Sequence, residues 1–418
     1  MTSIRLYPRT ALLALTALNL LNYIDRSVLF GVQPLIQAEF HRSNADFGLL
    51  SSAFFFCYMF AAPVMGPLAD RYSRKRIIII GAIVWSAATL LTALTHDFTT
   101  LFIRHTIVGI GEVSFATIAP TFVADLFSEQ RRGRILGIFY LTIPVGTALG
   151  YLIGGYLAVR HGWRYPFLIC AAPGFLLALL LSFIPEPERG LHDSLERTPE
   201  RASFRGMLRN PAFWTATLGM AFMTFALGAL QVWIPTFLVR ERGFALDKAN
   251  MLFSVIIVFD GTVASLAGGF LGDWLLPKVR SAYYLVSAAS MLLAVPLMVI
   301  AFRAHGNTMI FAIFLAAFLV LFNTSPLNAA VINSVSAQIR GTAIASNIFI
   351  IHLLGDASSP WIVGRIADRW SLSHAMLVTT PIAIALSSAI LFYGMRFAPA
   401  LAATASGSGP KEHRTAMH

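Results

Sequence analysis

Twelve stretches of about 20 largely apolar residues follow one another along the chain, and an α-helix needs about that length to cross a bilayer. Backbone groups cannot stay unpaired in lipid, so each stretch is predicted to be a transmembrane helix. With 57% hydrophobic and 12% charged residues, the chain has about half the charged fraction of a soluble globule. The sequence therefore predicts an all-α integral membrane protein. The predicted helices lie near 10–32, 47–68, 77–95, 99–124, 134–158, 165–184, 212–238, 248–272, 281–302, 308–331, 340–362 and 374–398.

The long polar break at 185–211 separates the sixth predicted helix from the seventh. It is charged and contains prolines, which favours a cytoplasmic linker with a short helix at its C-terminal end. The chain then divides into an N-terminal six-helix bundle over 1–184 and a C-terminal one over 212–398. Residues 399–418 are small and polar and are predicted to be a disordered cytoplasmic tail.

The net charge of +11 does not indicate nucleic acid, because most of the positive residues lie in short loops between apolar stretches. Placing the N-terminus inside puts the majority of the 31 Lys and Arg on the cytoplasmic side, as the positive-inside rule requires. We therefore expect both termini in the cytoplasm and location in a bacterial inner membrane. Cys57 and Cys170 lie inside apolar runs and are predicted to be buried thiols.

The two halves share a loop pattern. The loop after the second helix reads GPLADRYSRKR over 66–76, and the loop after the eighth contains GFLGDW over 269–274, each with Gly-x-x-x-Asp. Repeated halves are typical of transporters that hold substrate between them near the midplane. The alternative is a loop that only follows the positive-inside rule. The predicted cytoplasmic gate residues are Gly66, Asp70, Arg71, Arg74, Gly269 and Asp273.

Several polar residues lie at membrane depth, where a charge costs at least about 2.5 kcal/mol and usually faces a cavity or a partner. Asn19, Asn22 and Arg26 share one helix face, and Asp25 points elsewhere. A structural ion pair is the open alternative, most of all for Asp25. The candidates for substrate or proton coupling are Asp25, Arg26, Glu112, Asp260, His352 and Asp356. The candidate polar residues of a cavity are Asn19, Asn22, Gln231, Asn323, Thr324 and Asn328.

Other side chains in these helices are predicted to pack rather than to bind. Gly146, Gly150 and Gly154 recur every four residues in the fifth helix and indicate close helix contact. Phe54–Phe56 cover more than one helix face, so at most one ring is expected to face a substrate. The chain contains no Walker-type phosphate loop, no Cys/His metal spacing and no nucleophile–base constellation. We therefore expect no enzyme activity, no cofactor and no metal.

Three helices and one loop resemble a known family. The 66–76 loop resembles the cytoplasmic gate motif of the major facilitator superfamily. NYIDR at 22–26, VGIGEVSFATIAPTFVADLF at 108–127 and HLLGDASSP at 352–360 resemble its Spinster branch. The resemblance implies twelve helices in two pseudo-symmetric six-helix bundles, with Arg26 and Glu112 as a central pair and Asp25 beside them. Spinster proteins are proton-linked or facilitated transporters of sphingoid phosphates and lysophospholipids.

These observations favour a secondary active transporter that moves an amphiphilic or anionic small molecule by alternating access, with protons as the coupled ion. We expect a monomer that contacts membrane lipid and binds no nucleic acid. Two other functions stay open. One is a proton-coupled symporter of a small organic anion, such as a sugar acid or monocarboxylate. The other is a lipid sensor that does not transport.

Overall fold

All twelve predicted membrane helices are present in the computed structural model, which describes residues 2–189, 204–335 and 339–398, without a strand in those ranges. Ten are long and apolar enough to cross a membrane. The other two, α1 and α11, carry buried polar residues along their length. The helices are α1 (Thr2–Gly31), α2 (Asn44–Arg71), α3 (Arg74–Ala93), α4 (Phe98–Leu126), α5 (Glu129–Tyr140 and Thr142–His161), α6 (Tyr165–Ser182), α7 (Pro211–Arg242), α8 (Leu246–Leu275), α9 (Ala282–Arg303), α10 (Gly306–Leu321 and Thr324–Asn333), α11 (Arg340–Ile351, His352–Asp356 and Ser359–Arg369) and α12 (Leu372–Gly394).

Polar residues in the loops set where several helices begin. Ser43, Ser73, Asp97, Asn210 and Ser371 each accept a hydrogen bond from a backbone amide in the first turn that follows. Such caps satisfy amides that have no partner inside the helix. Short helices also lie at Gln33–Phe40 and, as the linker prediction expects, at Phe204–Leu208. The rest of the linker and the predicted disordered tail lie outside the described residues.

The glycines of α5 let it pack closely against α1. A Cβ atom added to Gly146 would come within 2.6 Å of the Leu20 carbonyl oxygen, and one added to Gly150 within 2.5 Å of the Ile24 carbonyl oxygen. No side chain larger than hydrogen fits without moving one backbone from the other. The small-residue spacing thus fixes α1, which carries the central polar residues, against α5.

The two six-helix halves meet mainly at one side of the molecule, which we call the distal side because α1 ends there at Gly31 and α11 at Arg369. Asn250 of α8 donates a 2.9 Å hydrogen bond to the Gly31 carbonyl oxygen, and Ser254 donates one of 2.9 Å to the Ala148 carbonyl oxygen. These bonds join α8 to α1 and α5 at this side.

The opposite side, where α2 is joined to α3 and the linker begins, is called the linker side. A Cβ atom on Gly66 near the end of α2, or on Gly341 at the start of α11, would meet no atom of the described chain within 4 Å. Near the distal ends of the same two helices, a Cβ atom on Gly48 would lie 2.3 Å from the Pro360 carbonyl oxygen. The helices α2 and α11 are therefore in contact at the distal side and apart at the linker side.

Candidate functional site

An ion pair joins α1 to α4 inside the N-terminal half. Arg26 donates to Glu112 Oε2 from Nη2 at 2.9 Å and from Nε at 3.3 Å. The Glu112 side chain is fully buried, and the Arg26 side chain keeps 13% of its surface exposed. Glu112 Oε1 is buried with no hydrogen-bond partner among the described atoms. The pair therefore uses only one carboxylate oxygen.

Four aromatic rings surround the Arg26 guanidinium. Its Cζ lies 4.8 Å from the ring centroid of Phe54, 5.1 Å from Tyr23, 5.2 Å from Tyr58 and 5.8 Å from Phe55. Rings at this range stabilise a cation that has lost its water. Two of the four rings, Phe54 and Phe55, come from the 54–56 run, and the expectation that at most one ring of this run faces a substrate stays a prediction. The helical spacing of Tyr58 four residues after Phe54 was the available signal for this cluster.

A second pair lies in α11, and the same rings touch it. His352 Nδ1 is 2.8 Å from Asp356 Oδ1 and 3.0 Å from Oδ2, as their one-turn spacing predicts. The His352 ring stacks on Phe55 at 6.4 Å and meets Tyr58 edge-on at 6.0 Å. The rings of α2 therefore lie between the N-terminal pair and the C-terminal pair.

The three coupling candidates of the C-terminal half, Asp260, His352 and Asp356, all lie in π-helical turns. His352–Asp356 is one such segment and Asp260–Ala264 is the other. Wide turns of this kind often occur at functional positions, because they shift the register of the side chains. Asp260 is fully buried, and neither carboxylate oxygen has a hydrogen-bond partner among the described atoms. Its neighbour Gly261 lies against Pro144 of the other half.

A cavity of about 460 Å³ lies between α5 of the N-terminal half and α7, α8 and α10 of the C-terminal half. Its walls are mostly aliphatic, with Gln231, Thr324 and Asn328 among the polar residues. The lining residues are Tyr140, Ile143, Pro144, Thr147, Leu227, Leu230, Gln231, Ile234, Phe253, Ile256, Ile257, Gly261, Ser265, Ile313, Ala317, Leu321, Thr324 and Asn328. The space suits an apolar chain better than a hydrated ion.

The remaining cavity candidates do not line this space. Asn19 donates to the Phe139 carbonyl oxygen and to Thr142 Oγ1, across the junction of the two parts of α5. Asn323 accepts from Ser290 at the junction of the two parts of α10. Asn22 is buried, and its Nδ2 atom has no partner among the described atoms. The side chains of Asn19 and Asn323 thus form hydrogen bonds at the breaks inside α5 and α10.

Asp25 is separate from the Arg26 pair, as its different helix face predicts. It is buried, and its oxygens make no hydrogen bond of ordinary geometry among the described atoms, although the Thr89 hydroxyl and the Trp85 indole of α3 interact with them. A buried carboxylate so weakly paired is stable only when it is protonated or gains a partner. Asp25 therefore remains a candidate for proton binding.

The predicted gate residues of the first loop differ in their surroundings. Asp70 and Arg71 are exposed at the linker side, whereas Arg74 is buried and pairs with Asp125 at 2.5 Å. Arg189 from the start of the linker donates to the carbonyl oxygens of Ala69, Asp70 and Tyr72 at the end of α2. A cation at this end of a helix is favourable.

Glu186 fastens the linker to the same loop. Partial burial raises the pKa of Glu186, but hydrogen bonds from Ser73 Oγ and the Arg74 amide outweigh it and hold the pKa below its ordinary value. A lowered pKa means that this contact stabilises the fold at neutral pH and loses that effect as pH falls through the lowered value. The hydrogen bonds of Glu186 with Ser73 and Arg74 are thus intact at neutral pH.

The equivalent loop of the C-terminal half makes contacts within its own half. Asp273 accepts a 2.7 Å hydrogen bond from the Tyr283 hydroxyl, and a Cβ atom on Gly269 would lie 3.1 Å from Ser325 Cβ. No group of three or more His, Cys, Asp or Glu that could hold a metal ion occurs in the described ranges.

Comparison with known proteins gives consistent matches over most of the chain. The model of the Major Facilitator Superfamily matches residues 15–360. Protein spinster homolog 3 of Danio rerio is 36% identical over 386 residues, which are 86% of this chain and 77% of that protein. The sphingosine-1-phosphate transporter SPNS2 of Xenopus tropicalis is 33% identical over 368 residues, 84% of this chain and 72% of that protein.

Solved structures show the same fold. The crystal structure of a bacterial homolog to the human lysosomal transporter Spinster, in an inward-facing and occupied conformation, matches with a TM-score of 0.80 at 24% identity and covers 94% of this chain and 96% of that chain. The D-xylose-proton symporter matches with a TM-score of 0.77 at 18% identity, over 94% of this chain and 98% of that chain. At this level of identity the likeness concerns the fold alone.

Proposed function

This chain belongs to the Major Facilitator Superfamily and, within it, to the Spinster proteins, and on that premise we propose that it transports an amphiphilic anion by proton-linked alternating access. The observation that carries the proposal is Arg26, a partly exposed cation at membrane depth whose neighbours among the described residues are one oxygen of the Glu112 carboxylate and four aromatic residues. Such a cation attracts a phosphate or carboxylate head group.

The cavity supplies a place for the apolar part of the substrate. Pro144 and Thr147 of α5 line it, and the intervening Gly146 packs on Tyr23, whose ring lies 5.1 Å from the Arg26 guanidinium. One short segment of α5 thus borders both the cationic centre and the aliphatic space. A ligand with an anionic head and a hydrocarbon chain fits that arrangement.

Proton linkage follows from competition for Arg26. When a substrate anion binds the guanidinium, Glu112 loses its cation while it remains buried. A buried carboxylate without a partner is far less stable ionised than neutral, so Glu112 takes up a proton. Release of the substrate returns Arg26 to Glu112 and expels the proton. Substrate occupancy and proton occupancy are then coupled at a single pair.

The positive-inside bias supports a cytoplasmic location for the linker side and for both termini. With that orientation, the open linker side faces the cytoplasm and the closed distal side faces away from it. The exchange of the two arrangements carries the substrate across the membrane of a bacterium, with the six-helix halves moving against each other.

Uptake into proteoliposomes tests the substrate class. Radiolabelled sphingosine 1-phosphate serves as the amphiphile and radiolabelled gluconate as the small anion, each with and without an imposed pH gradient. We expect gradient-dependent uptake of the amphiphile over protein-free liposomes and none of gluconate. Gluconate uptake without amphiphile uptake would assign the small-anion symport instead. Specific binding of the amphiphile with no uptake of either probe would indicate a sensor.

A further inference from the structure

The sequence of the gate loop occurs a second time, near the end of α11. Residues 66–73 read GPLADRYS and residues 364–371 read GRIADRWS. Glycine, alanine, aspartate, arginine and serine recur at the same positions, with Leu matched by Ile and Tyr by Trp. The repeated positions include the glycine and the aspartate on which the gate prediction for the first loop rests.

The two copies also build the same local structure. Each ends a helix at its arginine, since α2 ends at Arg71 and α11 at Arg369. Each then caps the following helix with its serine: Ser73 Oγ accepts from the Arg76 amide at 3.2 Å, and Ser371 Oγ accepts from the His374 amide at 3.1 Å. Because α2 and α11 cross the membrane in opposite directions, the copies lie at opposite sides of the molecule.

The copy at the distal side is engaged with the other half. Asp368 Oδ1 accepts from the Asn44 amide and Oδ2 from the Ala45 amide, each at 2.8 Å. These are the first two residues of α2, where a helix presents unpaired amides and favours a negative charge. A Cβ atom on Gly364 would lie 2.4 Å from the Asn44 carbonyl oxygen, so only glycine permits this approach.

The copy at the linker side shows the opposite situation. Asp70 is exposed, and a Cβ atom on Gly66 would meet nothing in the described chain within 4 Å. The start of α11 is equally open, since Gly341 has no such neighbour either. The distal copy thus binds the opposite half, whereas Gly66 of the linker-side copy has no such contact in the described chain.

We propose that residues 364–371 form the distal gate, with the Asp368 carboxylate as a latch that holds the first turn of α2 and breaks when the distal side opens. This inference deepens the proposed alternating access by assigning the closure of that side to named groups. Arg240 of α7 supports the latch, because its Nη1 donates to Asn44 Oδ1 at 3.1 Å. The latch joins a carboxylate to two backbone amides, so it depends on the charge of Asp368 and on the absence of a side chain at Gly364.

Spin-label distances test the latch without requiring a substrate. Cys57 and Cys170 are replaced by alanine, and labels are placed at the exposed distal residues Arg160 and Arg303 of the two halves. Asp368→Asn keeps the size, removes the charge and leaves a single accepting oxygen. We expect the ratio of long to short distal distances to rise at least threefold. Asp70→Asn, the same change in the linker-side copy, should not raise it.

A matched pair of glycine variants covers the case in which Asp368→Asn folds poorly. The Gly364→Ala side chain meets the backbone of the other half, so the closed state cannot form. The ratio of long to short distal distances should therefore rise more than tenfold. Gly66→Ala has no neighbour to meet in this state and should not raise the ratio. An unchanged distal distribution in both Asp368→Asn and Gly364→Ala would overturn the latch. Because no substrate is involved, that result would leave the proposed transport function standing, and a failure of amphiphile uptake would leave the latch standing.

Discussion

Arg26 carries its charge near the distal end of α1 but inside the molecule, where Glu112 and four rings are its neighbours. A charge at this depth costs at least about 2.5 kcal/mol, which the aromatic rings and the single carboxylate oxygen offset. A purely structural pair would be expected to use both carboxylate oxygens, and Glu112 Oε1 has no partner in the part of the chain that the structure describes. The geometry favours a pair that can be exchanged for a ligand.

Glu112→Gln separates the exchangeable pair from the structural pair. Removing one member of a structural buried pair costs about 3–5 kcal/mol of stability, which would damage folding. If Glu112 exchanges its cation for a proton, glutamine imitates the protonated state, and the variant should keep its thermal stability and bind sphingosine 1-phosphate. Thermal unfolding and ligand binding are measured on the same preparation, with wild type as control. A large drop in the melting temperature would favour the structural pair.

His352→Ala should alter the pH profile of transport. An imidazole ordinarily titrates near pH 6.5, and His352 bonds Asp356 while its ring touches Phe55 and Tyr58 beside Arg26. Without the imidazole, no histidine beside Asp356 can bind or release a proton in this pH range. Flux is measured from pH 5 to 8, with Phe392→Ala on an exposed part of α12 as control. A profile that stays where it was would make His352 structural.

At this scale the sequence predicted the ionisable residues but not their surroundings. Arg26, Glu112, His352 and Asp356 stand out because charges are rare at membrane depth. Phe55 and Tyr58 do not stand out, because an aromatic residue in a membrane helix can contact lipid as readily as it contacts a binding site. The contact of Phe55 with both Arg26 and His352 depends on how the two halves meet, which no local pattern records.

Among the helices, the twelve apolar stretches were confirmed, and the irregular turns inside them were not foreseen. The π-helical turns at Asp260–Ala264 and His352–Asp356 leave the hydropathy of α8 and α11 unchanged. The breaks at Leu141 in α5 and after Leu321 in α10 do have a sequence signal, because Pro144 and Pro326 follow them and a proline cannot donate to the carbonyl four residues earlier. Asn19 and Asn323 form hydrogen bonds at those two breaks. Two residues that the sequence predicts for a cavity are therefore found at irregular turns of the helices.

In the loop between α2 and α3, the exposed Asp70 carboxylate is the group expected to act in closing the linker side. Asp70→Asn removes the charge that would contact the other half when the linker side closes. The population should shift toward the state with the linker side open, and transport should fall while expression stays near that of wild type. Reactivity of single cysteines at the exposed residues Arg131 and Lys278 toward an impermeant thiol reagent, applied from the linker side, reports the shift. Unchanged reactivity together with unchanged flux would exclude a gating role.

For the molecule as a whole, the arrangement of the halves explains why one side is open. Contacts between them concentrate where Asn250 and Ser254 of α8 reach α1 and α5 and where α2 packs on α11 at the distal side. The repeat of six-helix units predicted that substrate would lie between the halves. Which side is closed could not be predicted, because both arrangements use the same helices and differ only in their mutual tilt.

Ala317→Phe tests whether the cavity between α5, α7, α8 and α10 holds a hydrocarbon chain. The added ring would displace about two methylene groups, and at about 0.8 kcal/mol each this weakens binding more than tenfold. Affinity for a long-chain lysolipid should fall by that factor, and affinity for an eight-carbon analogue should not change. Leu292→Phe on the exposed face of α9 is the matched control. Equal losses for both chain lengths would place the chain elsewhere.

If Arg26 is exchanged between Glu112 and the substrate, binding of the substrate must move protons. Proteoliposomes that enclose a pH-sensitive dye receive sphingosine 1-phosphate without any imposed gradient, and the internal pH is followed for wild type and for Glu112→Gln. We expect a pH change with wild type and none with well-folded Glu112→Gln that still binds the amphiphile. A pH change of wild-type size in that variant would exclude the exchange of Arg26.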